Sequence, residues 1–315
     1  MAKRKKHKTV KKGPDKKLLY GVTLATIILL AVLVTYYLFY QPNSENWTAS
    51  IVDQLSVEEG LINQSKTFNA SSTSILRAAG FDVKYYPGPV ITVEFYKNLP
   101  LNGGKIIVLR AHSTVRTATD FVDLFTSEPY NELKERQYSP YGDQISHARF
   151  LSWPFTEYFA IGPTFVKNSI NPAMKGTFAD SLIILMGCQS LNRTSMAEAL
   201  VERGAKVVIG WTDWISLGET DNVTLALLEY LLMKPKYTIG GAVETINRRI
   251  HLILGGEPPA FGARLTYYPS TAKNDFIDTK ENHSTLHLLT YLGIPSMMVM
   301  IVIPERKHTL TKAAL

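Results

Sequence analysis

The chain is 315 residues long, with 34 Lys+Arg, 27 Asp+Glu and one cysteine, for a formal charge of +7. Nine of the basic residues and one acidic residue fall in residues 1–17, so this tail is +8 and the remainder, 25 basic against 26 acidic, is −1. A near-neutral remainder lacks the electrostatic footprint of nucleic-acid binding, and one cysteine excludes an intrachain disulfide framework, so folding has to rest on a hydrophobic core.

Residues 18–40, "LLYGVTLATIILLAVLVTYYLFY", contain no charge. As a helix they extend about 35 Å at ~1.5 Å per residue, enough for a hydrocarbon layer of about 30 Å. Tyr20 at one end and Tyr36, Tyr37 and Tyr40 at the other suit the interfaces. The run is too long for a signal peptide and no small-residue cleavage pattern follows, while a polybasic block seldom precedes a buried core helix. A single-pass anchor is expected, with tail 1–17 cytoplasmic by the positive-inside rule and the rest outside. Six Asn-x-Ser/Thr triplets, at Asn46, Asn63, Asn69, Asn192, Asn222 and Asn282, all lie beyond the anchor. Chance gives about two, so the excess suits an exported, glycosylated surface.

After a linker at 41–48, "ASIVDQL" (49–55) reads as a strand, and "SSTSILRAAGF" as a helix with apolar spacing at Ile75, Leu76 and Ala79 and Gly80 as terminator. "FDVKYY" is a second strand, "VEFYKNL" a short helix, and "KIIVLRAHS" (105–113) a third strand ending at His112. Residues 114–180, rich in Pro and Tyr with weak periodicity, suggest long loops, a β-hairpin and one helix. "SLIILMG" and "AKVVIGW" are continuous apolar strands. Between them "SMAEALVERG" is a helix with a capping box of Ser195 and Glu198. "TDNVTLALLEYLLM" and "GGAVETINRRIHLIL" follow as amphipathic helices. The alternation predicts an α/β fold, a mostly parallel sheet with helices on both faces.

In such sheets, ligands gather beyond the carboxyl ends of the strands. His112 and Cys188, 76 residues apart, each sit just past such an end. If the two strands are neighbours, imidazole and thiol share one edge, the precondition for a cysteine nucleophile with a histidine base. The competing reading makes Cys188 a buried small hydrophobe.

The order strand, His, excursion, strand, Cys, helix, strand resembles the caspase-like cysteine peptidases, which include caspases, legumain, clostripain, gingipains, separase and CHAT domains. "LIILMGCQSL" followed by "MAEALVERGAKVVIGWTDW" carries the likeness, and "LLTYLGIPSMMVMI" is similar to the Leu-Gly-Asp-Pro-Ser segment of gingipain-like domains. The resemblance covers roughly residues 49–303, leaving a C-terminal tail at 304–315. It implies catalytic Cys188 and His112, and an oxyanion hole from the amides of Ser113 and Cys188. It also implies a primary pocket bearing Asp53 and Asp213, with Trp211 and Trp214 as walls, suited to Arg or Lys of a peptide or protein substrate; the competing reading makes both aspartates caps of turns or helix ends. Two positions depart from the pattern: Ser113 replaces the glycine that usually follows the histidine, and Ile294 replaces the aspartate of Gly-Asp-Pro-Ser. A catalytically inactive ectodomain that binds a partner is therefore the alternative function.

No cofactor or metal is expected. His283 and His287 are four apart without an evident third ligand, and Gly-x-Ser-x-Gly, phosphate-loop, dinucleotide and His-Glu-x-x-His motifs are missing. The apolar run Leu286–Ile303, interrupted by His287, Gly293 and Pro295, is read as a terminal strand in preference to a second span.

Overall fold

The computed structural model describes residues 26–31, 47–149, 156–167, 174–233 and 235–280. The chain separates into two compact units, Met1–Asn46 and Trp47–Leu315. In the first, residues 26–31 are helical, with Ile27 to Leu30 exposed. Among the described residues no helix is long and apolar enough to cross a membrane, and most of the expected span 18–40 lies outside them. Asn46, Asn282, the His283–His287 pair and the run Leu286–Ile303 also lie outside.

The second unit is mixed α/β. Strands β1 (Thr48–Asp53), β2 (Asp82–Pro87), β3 (Ile106–Arg110), β8 (Leu182–Leu185), β9 (Val207–Trp211) and β10 (Leu265–Tyr268) form one sheet in the order β10-β9-β8-β3-β1-β2. All neighbours are parallel except β9 and β10. The central strands are buried on both faces, which is why they read as unbroken apolar runs. Ile51, Ile106, Val108, Ile184 and Ile209 face one cluster with Phe68 and Leu76 of α1 (Ile62–Ala78), Leu227 and Leu231 of α6 (Leu217–Leu232), and Ile246 of α7 (Ile239–Ile253). Val52, Ile107, Leu109, Ile183, Leu185 and Val208 face the other, with Tyr96 of α2 (Val93–Asn102), Phe165 of α4 (Pro163–Lys167) and Leu200 of α5 (Ser195–Glu202).

Residues 114–180 hold more order than the expected hairpin and loops. Strands β4 (Ser113–Arg116), β5 (Phe121–Pro129), β6 (Ile145–Arg149) and β7 (Glu157–Ile161) make an antiparallel sheet in the order β4-β5-β7-β6, with α3 (Glu132–Tyr138) after β5. Residues 122–126 of β5 are all buried, so the alternation that marks a one-sided strand is absent. Helix α1 begins at Ile62, well before the predicted start near residue 71. Its buried stripe is Ser65, Phe68, Ser72 and Leu76, and two serines at core positions hide the apolar period. The expected Ser195–Glu198 capping box does not form, because the Ser195 hydroxyl accepts from the Val122 amide and Glu198 is held by Thr194. A capping box stands instead at Ser216–Glu219, opening α6.

The first turns of α6 tie three strand ends together. Thr220 Oγ1 donates to the Met186 carbonyl (3.0 Å) and accepts from Trp211 Nε1 (2.9 Å). Asp221 takes Arg110 Nε and Nη2 at 2.8 and 3.0 Å. Met186 and Arg110 each stand two residues before a candidate catalytic residue.

Candidate active site

Strands β3 and β8 are neighbours, paired Ile106 to Leu182 through Leu109 to Leu185. The segments carrying His112 and Cys188 therefore leave the same sheet edge side by side. A direct bond joins them: Ser113 Oγ donates to the Cys188 carbonyl at 2.6 Å. Gly187 makes that approach possible, since a Cβ there would lie 2.5 Å from the Ala111 carbonyl, 2.8 Å from Ser113 N, and closer still to Ser113 Oγ. Gly187→Ala should force the two segments apart and lower stability by about 1–3 kcal/mol, read by thermal or chemical denaturation. Wild-type stability in that variant would contradict the tight packing.

His112 is held at three points. Its backbone amide donates to Gln54 Oε1 (3.1 Å), its carbonyl accepts from Phe125 N (3.0 Å), and its Nε2 is 2.9 Å from Glu58 Oε1. Both Glu58 and the imidazole are about one-third exposed. When Nε2 carries the proton shared with Glu58, Nδ1 is the basic nitrogen of the ring. Glu58 escaped the sequence reading: "SVEEG" follows β1, whose neighbour is β3, yet the sequence does not say which glutamate turns inward. The Phe125–His112 bond also makes Ser113 and Leu124 a non-hydrogen-bonded pair of the β4–β5 ladder, which directs the Ser113 amide away from β5.

Cys188 is half-buried, and its thiol lies 3.4 Å from the Ile215 carbonyl. Burial pushes the thiol above its ordinary 9.0, and the Asp213 carboxylate nearby pushes the same way. Asp213→Asn removes that charge, so Cys188 should alkylate faster below its pKa. An unchanged or slower rate in a pH series would contradict the assignment. Asp213 accepts from Trp214 N (2.8 Å), its carbonyl takes Gln189 N (2.9 Å), and the Trp214 ring is 38 % exposed.

Two expected pocket residues are elsewhere in character. Asp53 is fully buried: Oδ1 binds Arg110 Nη1 at 2.7 Å and Oδ2 accepts from Tyr85 Oη at 3.1 Å. A carboxylate so enclosed and neutralised cannot receive a substrate cation. Trp211 is a core residue, 1 % exposed, with its indole N–H used by Thr220. Of the expected pocket residues, Asp213 lies close enough to act on the cysteine, and Trp214 follows it in the chain. Of the described sequons, Asn63 and Asn222 are exposed and Asn69 is half-buried. Asn192 is half-buried and its Nδ2 donates to the Thr212 carbonyl at 2.7 Å.

No protein-family model matches the chain, and no curated protein matches it. Among solved structures it is similar to the Arg-specific cysteine proteinase gingipain R (RGPB), with 15 % identity and a TM-score of 0.39. That likeness covers 75 % of this chain and 46 % of the other, so the chain spans about half the length of that protein.

Proposed function

We propose that the second unit is a caspase-like cysteine peptidase domain, held outside a membrane by residues 18–40. Cys188 is the nucleophile, His112 the base and Glu58 the group that orients the imidazole. His112 Nδ1 takes the thiol proton as sulfur bonds to the peptide carbonyl carbon, and the amides of Ser113 and Cys188 meet the developing oxyanion. Collapse of that intermediate breaks the C–N bond, His112 returns the proton to the departing amine, and water then hydrolyses the thioester. The observation that supports this reading is the emergence of His112 and Cys188 from adjacent parallel strands, with their segments joined by the Ser113–Cys188 bond.

Asp213, without Asp53, is the carboxylate left to favour Arg or Lys before the scissile bond, with the exposed Trp214 ring for the aliphatic stem. A peptide library varied at that position tests it. Cleavage after Arg or Lys that falls sharply in Asp213→Asn supports the pocket, and an unchanged profile refutes it. For the anchor, protease added to intact cells should digest the chain beyond residue 40 and spare the tail; a protected second unit would contradict the topology.

A specific observation favours a second reading, a non-catalytic binding domain. The resting thiol is directed to the Ile215 carbonyl, and its pKa is raised. In that case Cys188→Ala would leave the function of the chain intact, and no peptide would be cleaved.

A further inference from the structure

Away from the cysteine, α7, β10 and the turn Ser270–Asn274 border a groove of about 410 Å3, within the roughly 300–1,000 Å3 range of small-ligand sites. Its lining carries three cations, Arg248, Arg264 and Lys273, and one carboxylate, Glu244. That excess is local, because the chain beyond residue 17 has a net charge of −1. Glu244 is a poor counterion: it reaches Arg248 only at 4.0 Å, and both side chains are about two-thirds exposed. Among the described residues, neither Arg264 nor Lys273 forms an ion pair.

The groove is also built closely at one end. Gly240, in the first turn of α7, has no side chain where a Cβ would lie 2.6 Å from Lys273 Cγ, 2.9 Å from the Lys273 carbonyl and 3.2 Å from Tyr267 Oη. The lysine stem and the tyrosine hydroxyl therefore close directly onto the helix start, whose partial positive charge adds to that of the side chains. Arg264 is fixed from the facing side, its amide donating to Thr212 Oγ1 and its carbonyl accepting from Thr212 N, both at 3.0 Å.

We propose that this groove is a binding site for a small polyvalent oxyanion, a ligand with clustered phosphate or carboxylate groups. Two guanidinium groups supply paired donors, Lys273 a point charge and Tyr267 a neutral donor, the set that clustered oxyanions require. The site does not depend on the peptidase reading, since nothing in it touches Cys188 or His112.

Titration calorimetry of the full-length chain with inorganic pyrophosphate tests it. Saturable binding should weaken by about tenfold or more in Arg264→Ala and in Lys273→Ala, as expected when a charge-assisted contact is lost. Arg264→Lys should retain part of it, and Arg136→Ala, an exposed change on α3, should retain all of it. All three side chains are exposed, and unchanged melting temperatures without ligand check that the variants fold. The +8 tail is common to every variant, so binding that is equal in all of them belongs to the tail and overturns the proposal. Absence of saturable binding to the wild-type chain overturns it too. Acetate at equal ionic strength should not compete, and competition by this monovalent anion would contradict the polyvalent preference.

Discussion

Replacing Arg110 by Ala should destabilise the second unit by about 3–5 kcal/mol, the cost of leaving buried charge without its partner. The guanidinium is fully buried, with Asp53 at 2.7 Å, Asp221 at 2.8 Å and Ser65 Oγ at 2.8 Å, and it lies over the Phe68 ring at 5.4 Å. Its removal strands two carboxylates, and total stabilities are only about 5–15 kcal/mol. Adding Asp221→Asn to Arg110→Ala should recover part of the loss, because one stranded charge goes with it. The pH dependence follows by sign. Burial raises the Asp221 carboxyl above its ordinary 3.8 even with Arg110 present. A carboxyl whose folded pKa exceeds its unfolded value favours folding when protonated, so its contribution is largest at low pH. That contribution is lost as pH rises from 3.8 through the raised value. The Arg110→Ala deficit should accordingly shrink on mild acidification. Urea denaturation at several pH values measures both effects, and a deficit under 1 kcal/mol, or one that grows with acid, would contradict the buried-charge explanation.

The second large effect is on chemistry. If Cys188 and His112 act together, Cys188→Ala should abolish peptide cleavage and His112→Ala should lower kcat/KM by about 10²–10⁴, the range of a general base. Glu58→Gln keeps a hydrogen-bond acceptor but loses the charge, so it should cost less than His112→Ala and change the pH–rate profile more than the substrate affinity. A Glu58→Gln enzyme with the wild-type profile would remove Glu58 from the mechanism.

The parts of this fold legible in the sequence are those where one residue type repeats against one environment. Strands β3, β8 and β9 are buried on both faces and read as apolar runs, and their alternation with helices gave the parallel sheet. The positions of His112 and Cys188 at strand ends followed from the same pattern. What stayed hidden depends on partners distant along the chain. Asp53 looks like an available carboxylate until Arg110, 57 residues on, is brought against it. The buried serines of α1 carry no apolar signal although one of them binds Arg110. Trp211 fits a pocket wall as well as a core in the sequence, because aromatic residues serve both, and only Thr220 and the packing around it decide between them.

Burial and Asp213 make the Cys188 thiol a weaker acid than a free cysteine. On the proposed mechanism, neutral-pH reactivity in the folded chain comes from His112. The decisive measurement is the rate of Cys188 alkylation by an iodoacetamide probe across pH, in the folded wild-type chain and in His112→Ala, with the labelled residue mapped. The expected result is Cys188 labelling of the folded chain near neutral pH that falls by about tenfold or more without the imidazole. Labelling only after denaturation would make Cys188 a buried hydrophobe and leave the fold without its nucleophile, and labelling at the same rate in both folded proteins would remove His112 as its base.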